Sequence, residues 1–129
     1  MRFPAVELRR IRGGDYDTLA SWYTGRGFAL PDAEDLPQIG FIVEDLAAGF
    51  LFCTDSTIAF ADLFVSNPAA APVLRARAVE AIVERLTEEA KACGFKYVAG
   101  ACSSPGTKKL CLRRGFSSTG SYELLLKEV

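Results

Sequence analysis

A strand that runs into a long helix and is followed by another strand can be folded in essentially one way, as a right-handed crossover between parallel neighbours. This chain carries such a unit over residues 57–103. Its first segment, Thr57–Val65 ("TIAFADLFV"), is apolar on both faces. Ile58, Phe60 and Phe64 point one way, and Ala59, Ala61, Leu63 and Val65 the other. That pattern predicts a central strand covered on both sides. Asn67-Pro68 ends it, and Pro72 opens a helix whose apolar positions, Val79, Ile82, Val83, Leu86, Ala90 and Cys93, make one continuous stripe. Gly94 is placed to terminate the helix, and Tyr97–Ser103 reads as a second central strand.

The segments on either side fit around this unit. Val6–Arg12 alternates apolar and polar, as a half-buried strand does. Asp15 is a suitable N-cap for a helix over 16–24. Residues 25–38, rich in Gly, Pro and Asp, read as a loop. Gly40–Asp45, Gly49–Thr54 and Thr57–Val65 follow one another through tight turns, so that part should be antiparallel. A short helix over 106–114 is stopped by Gly115, and the chain returns as one or two strands, clearest at Tyr122–Lys127. The expected order is β-α-β-β-β-α-β-α-β in a single α/β (α+β) domain spanning residues 1–129.

Composition removes several kinds of chemistry. The 129 residues include no histidine, which excludes Ser-His-Asp and Cys-His catalysis and histidine metal ligation. The four cysteines, Cys53, Cys93, Cys102 and Cys111, have no C-x-x-C spacing, so neither a zinc site nor any other metal site is expected. A net charge of −1 gives no electrostatic case for nucleic-acid binding. No apolar run reaches the ~18 residues of a membrane span. "MRFPAVELRR" lacks the apolar stretch of a signal peptide, and a reducing, cytoplasmic home is expected.

The element order, with residues 90–116 ("AKACGFKYVAGACSSPGTKKLCLRRGF"), resembles the GNAT acetyltransferase superfamily over roughly residues 6–127. The helix-ending glycine, the strand after it and a short helix closing on Gly115-Phe116 stand in the family's order and spacing. The resemblance implies a mixed central sheet splayed at its middle, acetyl-coenzyme A as co-substrate, and N-acyl transfer, usually N-acetylation, to an amine that the sequence does not name. A domain of the same fold that binds coenzyme A or a protein partner without catalysis is the alternative, and a homodimer through the C-terminal strands is a further expectation.

The family's R/Q-x-x-G-x-G/A signature falls here on residues 74–79 ("LRARAV"), without its glycines. A helix start has unpaired amides and partial positive charge, and Arg75 and Arg77 beside Ala76 can hold a diphosphate by charge-assisted bonds. The resemblance therefore places the coenzyme against Phe64, Val65, Arg75, Ala76 and Arg77, with Ser104 (after Ser103, at the strand end) and Lys108 as further contacts. Lys109, Arg113 and Arg114 make the short helix basic, either as a solvated face or towards the adenosine phosphate. An amide near Phe64-Val65 would meet the developing oxyanion. Asp62, the one charge in its strand, is the candidate general base or else a structural partner of a backbone amide or an arginine. Glu44 and Asp45 are weaker candidates. Cys111 stands where relatives often carry an acidic Tyr; it is either the general acid or a small buried hydrophobe. Trp22, Tyr23 and Phe28 either shape the acceptor pocket or pack the core.

Overall fold

The computed structural model describes residues 8–102 and 104–129. Five strands form one sheet in the order β1-β2-β3-β4-β5. They are β1 (Leu8–Arg10), β2 (Ile39–Val43), β3 (Ala47–Phe52), β4 (Ile58–Ser66) and β5 (Tyr97–Gly100). The first four pair antiparallel through consecutive hairpins, and β4 pairs parallel with β5. Helix α1 (Tyr16–Gly25) lies between β1 and β2 in the chain, α2 (Pro72–Ala92) makes the β4–β5 crossover, and α3 (Pro105–Arg113) follows β5. This is the mixed sheet expected, with the crossover in the expected place. Gly94 and Gly115 end α2 and α3 with φ of +89° and +93°, a conformation that costs glycine little.

The two helices that build the core sit on opposite faces. Ala78, Ile82, Leu86 and Ala90 of α2 pack on Phe41, Val43, Ala47, Leu51, Ala59 and Ala61. Leu19, Trp22 and Tyr23 of α1 pack on Ile42, Ala48, Phe50 and Val65. The predicted α2 stripe is close to the observed one, but Cys93 is exposed and Ala78 is fully buried in its stead. Helix α3 is tied to α2 by ion pairs: Arg114 to Glu80 (2.6 Å) and Glu84 (2.6 Å), and Arg113 to Glu80 (3.4 Å). These arginines serve the helix–helix contact, while Lys108 and Lys109 of the same basic helix are exposed.

Three further expectations are corrected. Only one face of β4 is covered along its length. Ile58 and Phe60, with Phe52 and Tyr97 beside them in the pairing, are exposed, because α1 reaches only the other end of that face. The Tyr122–Lys127 strand does not form among the described residues. Residues 116–129 join no strand there, and Tyr122, Leu124, Leu125 and Leu126 stand out in solvent. Strand propensity alone cannot make a strand; it needs an edge within reach to bond to. The second central strand ends at Gly100 rather than at Ser103, which lies outside the described residues, as do residues 6 and 7 of the first predicted strand.

Asp15 precedes α1 but gives it no side-chain cap. Its carboxylate instead takes two bonds from Arg9 (2.8 Å each) and one from the Arg12 amide (2.7 Å), while Arg9 also pairs with Glu44. Glu44, a weak candidate base, is thus part of the frame joining β1 to the β2–β3 turn. The hydrogen bonds from Arg9 hold the Asp15 carboxyl below the usual range. A carboxylate lowered in the folded state stabilises above its unfolded pKa of about 3.9, and that stabilisation is lost as pH falls through the folded value. Asp15→Asn should therefore cost about 1–3 kcal/mol at pH 7, the scale of a hydrogen bond to a charged group. Urea titrations should show the gap closing below about pH 3. A gap that stays constant with pH would mean that packing, not charge, is at stake.

Candidate functional site

The strands part at the middle of the sheet. β4 and β5 are in register from Ile58↔Tyr97 to Ala61↔Gly100, and there β5 stops while β4 runs on to Ser66. A Cβ on Gly100 would meet the Ala61 carbonyl oxygen at 2.9 Å, so only glycine lets the strands touch just before they separate. From Asp62 onward the β5 side of β4 has no paired strand among the described residues.

On its other side β4 carries a bulge. Its register with β3 runs Phe52↔Phe60, Leu51↔Ala61, Phe50↔Asp62, then jumps to Ala48↔Val65, so Leu63 and Phe64 together oppose Gly49. Leu63 has φ +58°, in the left-handed region that non-glycine residues avoid. The extra residue flips the alternation. Leu63 and Val65 join the α1 layer and Phe64 joins the α2 layer, whereas strict alternation puts Leu63 with Ala59 and Ala61, and Phe64 with Ile58 and Phe60. Gly49 makes room for this. A Cβ there would lie 2.6 Å and 2.7 Å from the Phe64 ring and 3.1 Å from Ile82.

The bulge is held by side chains. The Leu63 amide donates to Asp62 Oδ1 (2.7 Å), and the Tyr23 hydroxyl donates to the Leu63 carbonyl. One turn on, Arg26 donates to the Ser66 carbonyl (3.1 Å) and to Ser66 Oγ (2.7 Å). The last turn of α1 thus grips β4 at both ends of residues 63–66. Trp22 and Tyr23 are core residues, not pocket walls, and Phe28 is exposed.

Helix α2 starts at Pro72, as expected. Residues 74–79 are all helical, and the Arg75 amide already donates to the Ala71 carbonyl (3.0 Å). Pro72 has no N–H, so the amides of the first turn that can face an anion are those of Val73 and Leu74. Arg75 Nη1 donates to the carbonyls of Pro68 (3.2 Å) and Ala70 (3.0 Å), bracing the loop between β4 and α2. Asn67 fixes the same loop from the other side, through Asp45 and Leu46 carbonyls and the Ala69 amide. Asp45 thereby acts through its backbone. Arg77 is half-buried and Ala76 exposed.

The remaining candidates lie on α3. The hydroxyl of Ser104 caps that helix, accepting from the Thr107 amide (3.1 Å). Lys108 is exposed. Cys111 is half-buried; burial pushes its thiol upward, with Cys102 adding to the effect, so it is a weaker acid than an exposed thiol. The structure thus gathers Asp62, Phe64 and Val65 at the parting of the strands, with Arg75, Ala76 and Arg77 on the helix that follows. Sequence reasoning missed the parts played by Leu63, Gly49 and Arg26; for Tyr23 the core-packing alternative holds, and its bond to Leu63 was not foreseen. An isolated glycine in a strand pattern was the available signal for the bulge.

No protein-family model matches the chain, and neither does any curated protein sequence. Solved structures do. A probable acetyltransferase from meticillin-resistant Staphylococcus aureus superimposes with a TM-score of 0.70 at 14% identity, over 94% of this chain and 99% of that one. The chain has the GNAT acetyltransferase fold. An aminoglycoside N-acetyltransferase in complex with coenzyme A shares this GNAT architecture (TM-score 0.63, 14% identity, 95% and 94% covered). So does a predicted acetyltransferase with acetyl-coenzyme A from Clostridium acetobutylicum (TM-score 0.64, 16% identity, 92% and 94% covered). Within this GNAT sheet the bulge depends on the absence of a side chain at Gly49. Gly49→Ala should destabilise the protein by about 1–3 kcal/mol, the usual cost of overpacking, measured as a lower urea midpoint. An unchanged midpoint would mean that Phe64 moves aside freely.

Proposed function

We propose that this chain is a single-domain acyl-coenzyme A-dependent N-acyltransferase, in the first instance an N-acetyltransferase, acting by direct attack of an amine on the thioester. The observation that carries this reading is the parting of β4 from β5 beside a left-handed residue that turns the peptide of β4, immediately before the helix start that follows. The fold neighbours described with coenzyme A or acetyl-coenzyme A support the choice of co-substrate.

Bound coenzyme supplies an activated acyl carbonyl and a thiolate leaving group. The residues of this chain fit it through charge rather than through a glycine loop. The Val73 and Leu74 amides at the positive end of α2 face the diphosphate. Arg75 and Arg77 add charge-assisted donors, and because a guanidinium carries five N–H groups, Arg75 can hold its loop and an anion together. The exposed Ala76 leaves room between them, and Ser104 and Lys108 flank the adenosine end. The Phe64 amide, with Val65 beside it, donates to the oxygen on which charge develops. Asp62 takes the proton from the attacking nitrogen, in a chain with no histidine to do so. Cys111, kept protonated by burial, returns a proton to the departing sulfur.

Two experiments test this. Arg75→Ala with Arg77→Ala should weaken coenzyme A binding by about 2–4 kcal/mol in low-salt calorimetry, at about 1.5–3 kcal/mol for each charged hydrogen bond with some non-additivity. Unchanged affinity would remove the arginines from the site. Asp62→Asn keeps an acceptor for the Leu63 amide but removes the base, so thiol release with amines should fall about 10²–10⁴-fold while coenzyme affinity holds. Full activity would assign the proton to water instead.

A second reading, a GNAT-fold domain that binds coenzyme A without catalysis, is favoured by one observation. The signature positions 74–79 are consumed by helix, and Arg75 is already engaged with loop carbonyls. Coenzyme binding without thiol release across a panel of primary amines would select it.

A further inference from the structure

Leu63 is the one residue inside a strand whose backbone is left-handed among the described residues, and both of its peptide groups are pinned by side chains. Its N–H is held by Asp62 and its C=O by Tyr23. In a trans peptide the C=O and the following N–H point in opposite directions. The bond from Tyr23 therefore fixes the direction of the Phe64 N–H, which points away from the α1 layer. Tyr23 is buried, only 3% exposed, and its ring is locked among Leu19, Ile42, Phe50 and Val65. Burial, with the Asp62 carboxylate nearby, pushes its pKa well above the ordinary value, so the hydroxyl remains a donor at every working pH.

We propose that Tyr23 is a positioning residue. Its hydroxyl holds the Leu63 carbonyl and so aims the Phe64 amide into the opening between β4 and β5. This rests on the acyltransferase reading for its chemical purpose, and on the geometry alone for the aim itself. A buried tyrosine hydroxyl commonly finds some carbonyl. What sets this one apart is its acceptor. It bonds the peptide that follows the left-handed residue, at the bulge where the register with β3 is broken. Backbone outliers kept in place by surrounding structure cluster at functional sites. Arg26, one turn further along α1, holds Ser66 and so keeps the next peptides of β4 from swinging.

Tyr23→Phe removes the hydroxyl and keeps the ring. With acetyl-coenzyme A and an accepted amine, kcat should fall about 10- to 100-fold while KM for acetyl-coenzyme A stays within twofold. That is the pattern of a misdirected transition-state donor rather than of lost binding. A structural role alone would lower the urea midpoint and leave kcat unchanged, which would overturn the proposal. The double variant Tyr23→Phe with Leu63→Gly separates the two further. Glycine adopts φ > 0 without strain, so it should restore stability, but a freer peptide should leave kcat low. Recovery of kcat in that protein would also overturn the proposal. Should the unaltered protein release no thiol with any amine, the acyltransferase reading fails by itself. The aim is then decided by the ¹⁵N–¹H resonance of Phe64. A clear shift in Tyr23→Phe, with the resonances of β1 and β2 unmoved, supports the clamp, and an unmoved Phe64 resonance overturns it.

Discussion

The arrangement depends on one strained residue in β4. Leu63 sits with φ +58°, which costs an L-residue about 1–2 kcal/mol. Its presence displaces everything after it by one position, so Phe64 enters the α2 layer, Val65 the α1 layer, and the strand reaches Ser66 in a direction its first half does not share. The bulge lies on the β3 side of β4, just past the point where β5 stops at Gly100 on the other side. Gly49 on the neighbouring strand is the counterpart of Leu63, since a side chain there would collide with the Phe64 ring.

The same displacement governs how α2 begins. The chain leaves β4 at Ser66, is caught at Asn67 by the β2–β3 turn, and is braced at Pro68 and Ala70 by Arg75 from within the helix it is about to form. The helix then starts at Pro72, so residues 74–79 lie within it, with Arg75 turned back to brace the loop that leads into it.

The crossover was legible because its signals are local. A two-faced apolar strand, a 3.6-residue stripe and a glycine stop each identify an element without reference to the others, and the topology then follows from handedness. The antiparallel front half was legible for the same reason. What escaped was non-local. Nothing in "FADLFV" marks Leu63 as left-handed, because leucine has no propensity for that region and is held there by Asp62 beside it and by Tyr23, forty residues away in the chain. The Tyr122–Lys127 strand failed in the converse way: the segment has the composition of a strand and, among the described residues, no strand paired beside it. Among the site residues, the position of Asp62 at the parting of the strands could be read from its strand. The engagement of Arg75, Arg113, Arg114 and Ser104 with loop carbonyls, Glu80, Glu84 and Thr107 could not, since a basic or hydroxyl side chain at a helix end serves a cap and a ligand with the same atoms.

The energetics of the bulge explain why leucine rather than glycine stands at position 63. A hydrogen bond from its amide to a carboxylate contributes about 1.5–3 kcal/mol and one from a buried hydroxyl about 0.5–1.5 kcal/mol, together enough to offset the left-handed backbone. Glycine would avoid the strain, but it would also leave the α1 layer without the Leu63 side chain that packs against it. It would free a peptide whose direction matters as well. Leucine makes the backbone costly to turn, and the two bonds make the turned state the favoured one, so the peptide has a single orientation rather than a distribution. Asp62 then serves two ends with one carboxylate. Through Oδ1 it keeps the adjacent amide in place, and its charge stands where the strands separate.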